Sequence, residues 1–243
     1  MKKFKPYSLL VLALTIFIVG CEPTTVQTAP PPSSPQAPPE QAGQATASTS
    51  GAPQVESNLL RRNFYIVLDG SGSMNEIQCS GNSTKIEVAK KAVIDFERSL
   101  NASDNIGLVV FDNAGISERA VLGTSNRRGF EDQVNAVRAN NGTPLYECVK
   151  FAFGRLEEQR AKQLGYGEYH IVIITDGEAS DSENGLIAQV NKTPVVIHTI
   201  GFCIGEGHSL NQRGKTYYTD AQSPEEVKKG FKAVTAESEK FDK

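Results

Sequence analysis

Near-continuous apolar segments alternate with helical periodicity along most of the chain, and this alternation constrains the fold more than any other feature. Buried strands are predicted at residues 64–68, 105–112, 169–176 and 193–202, with shorter ones at 117–123 and 215–220. Strands that are apolar on both faces and separated by helices form a mostly parallel sheet covered on both sides. The sequence therefore predicts a doubly wound α/β fold, a mostly parallel six-stranded sheet with helices on both faces.

The helices are predicted from apolar residues at steps of three and four. The segment TKIEVAKKAVIDFERSL begins with Thr84 and Glu87 in capping-box spacing and carries an apolar stripe from Ile86 to Leu100. Further helices are expected around 130–138, from 144 towards 162, at 184–191 and from 224 onward. The last of these starts with Ser223, Pro224 and Glu226, a common N-terminal signature. The globular domain is thus expected to span residues 58–243.

The N-terminus has the features of an export signal. Lys2, Lys3 and Lys5 precede an apolar stretch that ends near residue 19, too short for a comfortable transmembrane helix. Residues 18–21 (IVGC) resemble the cleavage box of bacterial lipoproteins, which implies a signal peptide at 1–20 and a lipidated Cys21. Ordinary cleavage nearby and an uncleaved anchor are the alternatives. The resemblance implies attachment to the bacterial cell envelope, and Glu22, in place of an aspartate, favours the outer membrane over the inner membrane.

Residues 21–57 are rich in Pro, Ala, Ser, Thr and Gln and contain almost nothing that could form a core, which predicts a disordered tether. The formal charge of the whole chain is −3, and removal of residues 1–20 takes away three lysines and no acids, which gives −6. A protein this acidic, without a basic cluster after residue 21, is not expected to bind nucleic acid.

Polar oxygen donors are expected at one edge of the sheet, in two segments that follow predicted strands directly and one that precedes a predicted helix. They lie in the segments DGSGS at 69–73, NGTPL at 141–145 and TDGE at 175–178. Each segment alone has a simpler explanation, since Asp-Gly makes a turn and Thr143 before Pro144 suits a helix N-cap. Together, two carboxylates and three hydroxyls without His or Cys suit a hard cation, Mg²⁺ before Ca²⁺ or Mn²⁺.

The order Asp-x-Ser-x-Ser, Gly-Thr-Pro-Leu and Thr-Asp-Gly resembles the von Willebrand factor A (vWA) domain, over nearly all of residues 60–240. The resemblance implies a metal-ion-dependent adhesion site with Asp69, Ser71, Ser73, Thr143 and Asp176 around the cation. The three hydroxyls would bind the ion directly, and the two carboxylates would act mainly through water or hydrogen bonds. A partner protein would complete the shell with an Asp or Glu carboxylate. Gly70 departs from the aliphatic residue of many members and is expected to make the turn more flexible.

Competing motifs are incomplete. An EF-hand would need Gly at Met74 and Glu at Ser80, and the chain has no Walker loop, nucleophile elbow or dinucleotide fingerprint at these strand ends. We therefore expect a membrane-anchored binding module and not an enzyme. The alternatives are a Mg²⁺-dependent hydrolase, for which Asp176 would be the general base, and a structural scaffold in which the metal only braces the loops.

The remaining residues with possible chemical roles are the cysteines, which could form a disulfide, and the histidines. If Cys21 carries lipid, three cysteines remain, so a free thiol or an intermolecular bond is expected. Cys79 and Cys203 both follow strands and are expected at the same edge of the sheet, where they could pair, whereas Cys148 is expected inside a helix. His170 and His198 fall within strands, and His208 lies in a loop on the metal side.

Overall fold

The protein is described here by a computed structural model that places residues 54–238. The predicted signal peptide, Cys21 and the tether up to residue 53 lie outside the described residues. Across residues 54–238, every helix is too short or too polar to span a bilayer.

Six strands and five helices make up the described chain. The strands are β1 (Arg62–Asp69), β2 (Asn105–Asp112), β3 (Gly115–Gly123), β4 (Glu168–Thr175), β5 (Val195–Phe202) and β6 (Tyr217–Ala221). The helices are α1 (Lys85–Ser99), α2 (Arg127–Ala136), α3 (Leu145–Lys162), α4 (Leu186–Val190) and α5 (Pro224–Ser238), and a single 3₁₀ turn spans Gly72–Asn75. The predicted elements are all present, with shifts of a few residues at their ends.

The strands form one sheet in the order β3-β2-β1-β4-β5-β6. Only the β2–β3 pair, a hairpin, is antiparallel. The chain winds outward from β1 through β2 to β3, and then from β4 through β5 to β6, so the direction of winding reverses between β1 and β4. In open α/β sheets, the carboxyl ends of the strands at such a reversal are the usual place for a ligand. The predicted fold class is confirmed.

Alternate residues of β1 face opposite sides of the sheet and enter two separate cores. Phe64, Ile66 and Leu68 pack with residues of α1, α2 and α5. Tyr65 and Val67 pack on the other face with residues of α3 and α4. Because β1 is buried on both faces, its central residues 64–68 are all apolar, and this explains the uninterrupted run that ends before Asp69.

The globular part includes residues that the composition assigns to the tether. The backbone N–H of Glu56 donates to the carbonyl of Lys162 at 3.0 Å, and its carboxylate pairs with Arg61 Nε at 3.0 Å. These contacts fix the chain against the end of α3 before β1 begins.

Candidate functional site

Three loops form one edge of the sheet, which we call the carboxyl rim: residues 69–73 after β1, residues 140–144 before α3, and residues 175–178 after β4. The first two are tied directly, since Gly72 N donates to Asn141 O at 3.1 Å and Asn140 N donates to Gly70 O at 2.8 Å. The second and third are tied by Ser180 N, which donates to Thr143 O at 2.8 Å. The main chain thus brings together the three segments that sequence reasoning singled out.

Asp69, the last residue of β1, is completely buried. One carboxylate oxygen accepts the backbone N–H of Ser71 at 2.7 Å, and the other accepts the hydroxyl of Thr175 at 2.5 Å. Burial raises the pKa of the Asp69 carboxyl to about 6, because the hydrogen bonds from Ser71 and Thr175 offset only part of the cost of desolvation. The protein therefore holds a carboxylate that hydrogen bonds alone do not fully compensate.

The two serines and the second aspartate form a hydrogen-bonded chain. The hydroxyl oxygens of Ser71 and Ser73 are 3.1 Å apart, and Ser73 Oγ donates to Asp176 Oδ1 at 2.7 Å. The 3₁₀ turn at 72–75 brings Ser73 back over the end of β4, so residues separated by 103 positions meet. Three of the five expected metal-site residues are therefore linked directly.

Thr143 belongs to the same rim but does not cap helix α3. The N-terminus of α3 is satisfied by Asp181, whose two carboxylate oxygens accept the backbone N–H groups of Tyr146 and Glu147 at 3.1 and 2.8 Å. The simpler explanation of Thr143 as an N-cap is therefore wrong. The Thr143 hydroxyl lies 3.8 Å from the point where a Cβ on Gly177 would sit, next to the Asp176 loop.

A lysine that sequence reasoning missed also reaches the carboxyl rim. Lys85, at the start of α1, is only 3% exposed, and its ammonium donates to Asp176 Oδ2 at 2.8 Å. Glu76 is a second partner at 3.3 Å, but its side chain is 59% exposed. Burial disfavours the charged ammonium, but the attraction of Asp176 and then Glu76 outweighs it and raises the pKa of Lys85. The signal in the sequence was a lysine at the first position of a helix whose apolar stripe begins one residue later.

Two further contacts hold the loop after β5 against the carboxyl rim. Cys79 and Cys203 form a disulfide with a Cα–Cα distance of 5.9 Å, and Cys148 is a buried free thiol. His208 is buried; its Nε2 donates to Gly177 O at 3.0 Å, and its Nδ1 accepts from Leu210 N at 3.0 Å. His208 therefore braces the backbone next to Asp176, which is a structural task and not a ligand contact.

Gly70 is closely packed, contrary to the expectation of a flexible turn. A Cβ there would lie 2.7 Å from the carbonyl oxygen of Phe111 and 2.8 Å from Asp112 Cβ. The N–H of Gly70 also donates to that carbonyl at 2.9 Å. The glycine is needed because β1 and the end of β2 approach each other this closely, so the turn is held in place.

The donor set of the carboxyl rim fits a hard divalent cation. Its carboxylates and hydroxyls are hard oxygen ligands. Within the described residues there is no group of three or more His, Cys, Asp or Glu side chains that could hold a metal, so a cation here would depend on hydroxyls and only two carboxylates. The ammonium of Lys85 compensates the charge of Asp176, whereas Asp69 is held by hydrogen bonds alone and its pKa is raised. A cation bound beside Asp69 would compensate the charge of that carboxylate.

Comparison with known proteins relates this arrangement to a family. Residues 64–178, slightly less than half of the chain, match the family model of the von Willebrand factor type A domain. The chain is also 30% identical over 129 residues to the uncharacterized protein YwmD of Bacillus subtilis (strain 168). The match covers 48% of this chain and 55% of YwmD, so it spans about half the length of that relative.

Solved structures share the fold. The PilB minor pilin from Streptococcus sanguinis superposes with a TM-score of 0.57 at 16% identity, over 73% of this chain and 61% of the pilin. The manganese-loaded TRAP protein of Plasmodium vivax gives a TM-score of 0.52 at 18% identity, over 72% of this chain and 73% of TRAP. At such identities the likeness establishes the fold alone, a six-stranded, mostly parallel sheet with helices on both faces.

Proposed function

We propose that this chain is a vWA-domain protein that binds a partner protein through a divalent cation held at the carboxyl rim. The observation that carries the proposal is the convergence of Asp69, Ser71, Ser73, Thr143 and Asp176 from three loops onto one edge of the sheet. Their oxygen chemistry matches the motif of the family whose model the chain matches. Mg²⁺ is the first candidate, with Mn²⁺ or Ca²⁺ as alternatives.

In this proposal, the cation supplies an electrophilic centre that attracts a carboxylate of the partner. Ser71, Ser73 and Thr143 would hold it through neutral hydroxyls, and Asp69 and Asp176 would orient those hydroxyls and supply negative charge nearby. Because neutral ligands leave most of the charge of the ion uncompensated, an Asp or Glu side chain of the partner would be bound strongly. The manganese-loaded state of the structural neighbour TRAP supports a metal in this fold without identifying the ion here.

The two alternatives are less well supported by the contacts. A hydrolase would need Asp176 as a free general base, yet its two carboxylate oxygens accept hydrogen bonds from Ser73 and Lys85. A metal that only braces loops has little to add, because the carboxyl rim is already held by the backbone ties between loops, the disulfide and the contact from His208 to Gly177. Both observations favour a binding site.

The experiment that tests the proposal is calorimetric titration of Mg²⁺ and Mn²⁺ into the purified protein with Cys21→Ser, which prevents lipid attachment. Saturable binding that Asp69→Ala abolishes is the expected result. Asp132→Ala, which removes an exposed acid of α2 outside the three loops of the carboxyl rim, is the control and should bind as the parent does. Absence of saturable binding to the folded parent would contradict the proposal.

The proposal includes anchoring of the domain at the bacterial cell envelope through a lipid on Cys21, with residues 22–53 as a spacer. It rests on the sequence of residues 1–21 and on the proline-rich composition that follows. Cells fed with labelled palmitate should incorporate label into the wild-type protein and not into Cys21→Ala. Separation of the inner and outer membranes should place the labelled protein in the outer membrane, and label that survives Cys21→Ala would refute the anchor.

A further inference from the structure

The positive side chain of Lys85 pairs directly with Asp176, one of the residues of the candidate metal site. The Thr84–Glu87 capping box fixes the start of α1, and the backbone N–H of Lys85 donates to Glu76 O at 2.8 Å. The side chain is thereby directed to Asp176 Oδ2 at 2.8 Å, in a pair whose side chains are 4% and 0% exposed. Since solvent hardly screens this pair, its charge acts strongly on anything bound beside Asp176.

The formal charges at the site are affected directly by this lysine. With Asp69, Asp176 and Glu76 ionised, the site carries −2 in the presence of Lys85 and would carry −3 without it. A bound divalent cation changes these totals to 0 and −1, respectively. The loaded site therefore repels a carboxylate through its net charge only when Lys85 is absent, whereas the empty site attracts the cation more strongly when Lys85 is absent.

We propose that Lys85 is an internal cation that weakens metal binding at the carboxyl rim and in return strengthens binding of the carboxylate that the metal recruits. The inference deepens and rests on the proposed function, since it assigns a determinant of ligand charge to the same site. Lys85 acts as a positioning and charge-setting residue through Asp176, and it is not a metal ligand.

A merely structural lysine would behave differently. A buried ion pair is costly to break, because removal of one partner leaves the other charge uncompensated. If Lys85 only held Asp176 in place, its replacement would disorder the site and weaken both metal and carboxylate binding. The charge-setting role instead predicts changes of opposite sign for the two ligands, so the pair of measurements separates the two explanations.

The parent in this experiment is the full chain carrying Cys21→Ser. It is compared with the same chain carrying Lys85→Met in addition. The control Lys91→Met removes the same charge from an exposed position of the same helix. Mn²⁺ affinity is measured by calorimetry, and acetate is the carboxylate probe, followed on the Mn²⁺-loaded protein through the relaxation rate of metal-bound water. Lys85→Met should bind Mn²⁺ about tenfold more tightly and acetate several-fold more weakly, as expected for loss of one nearby unit charge. Lys91→Met should match the parent in both.

The variant Lys85→Gln, which can still donate a hydrogen bond to Asp176, repeats the test if Lys85→Met fails to fold. Unchanged or weaker Mn²⁺ binding by the neutral variant, beside normal binding by the parent, overturns this inference alone. Absence of Mn²⁺ binding by both proteins overturns the proposed function together with it. Binding by the neutral variant but not by the parent supports the inference in its strongest form.

Discussion

His198 should make the domain sensitive to mild acid. It lies in the middle of β5 and is 4% exposed, with Nε2 3.2 Å from His170 Nδ1 and its ring stacked on Tyr217. Burial, and then the neighbouring His170, lower the pKa of His198 from 6.5 to about 3. The carboxylates that face the pair are Glu168, 3.3 Å from His170 Nε2, and Glu237, 3.6 Å from His198 Nδ1.

The sign and size of the effect follow from this shift. Because the folded state resists the proton and the unfolded chain accepts it near pH 6.5, the contribution of His198 is complete above pH 6.5 and is lost as the pH falls. Each unit of pKa difference corresponds to about 1.4 kcal/mol, so His198 should reduce the free energy of unfolding by about 2 kcal/mol between pH 6.5 and 5. Burial would raise the pKa of Glu168, but the hydrogen bonds with His170 and Ser238, and then the nearby Arg62, outweigh it and keep that pKa below its ordinary 4.5, so Glu168 titrates below this window.

The assay is urea unfolding with chelator present, at pH 7.5 and 5.0, for the wild type and for His198→Gln, which cannot take up a proton. Asp69 titrates in the same range with the opposite sign, because its pKa is raised and its protonation stabilises the metal-free fold as the pH falls. The quantity to compare is therefore the difference between the two proteins. The wild type should lose about 2 kcal/mol more than His198→Gln, and equal losses would refute the reasoning.

Three further changes test the structure around the carboxyl rim. Replacement of Cys79 and Cys203 by serine should lower the free energy of unfolding by about 2–4 kcal/mol, because the bridge closes a loop with a sequence separation of 124; a wild type whose urea midpoint does not respond to reductant would contradict this. Gly70→Ala should lower the free energy of unfolding by about 1–3 kcal/mol, because the added Cβ clashes with the Phe111 carbonyl. Gly72→Ala is the matched control and should lower it less in the same unfolding assay, because the nearest neighbour of its Cβ would be 3.7 Å away. Thr84→Ala should lower the free energy of unfolding by about 1 kcal/mol, because it removes the capping box of α1. An unchanged thermal midpoint would show that the cap contributes nothing to stability.

The elements of the fold could be predicted because their signals are local. The apolar run of β1 and the capping box of α1 are each visible within a few residues, and both are present. The parallel sheet also follows, since alternating strands and helices allow few other arrangements. The position of the three polar loops at one edge is a consequence of that topology, which is why the sequence could predict that these candidate residues lie close together.

What could not be predicted depends on contacts between distant parts of the chain. Lys85 reaches Asp176 across 91 positions, and Asp181 caps α3 from 34 to 35 positions away, so the local sequence does not identify the partner of either residue. Gly70 seemed flexible in the sequence because glycine has no side chain, but its actual constraint is the approach of the Phe111 carbonyl. In each case the partner, and not the residue itself, decides the role.

The polarity of the sheet has a practical consequence for presenting this protein on a sensor surface. Residues 54–61 lead into the amino end of β1, and Ser238 near the end of α5 accepts a hydrogen bond from Arg62 Nη1 at 2.9 Å, so both ends of the described chain lie at the same edge. Asp69 is seven residues further along β1, about 23 Å away at the usual rise of a strand. Immobilisation or fluorescent labelling at either end of the domain should therefore leave the opposite edge free for soluble ligands.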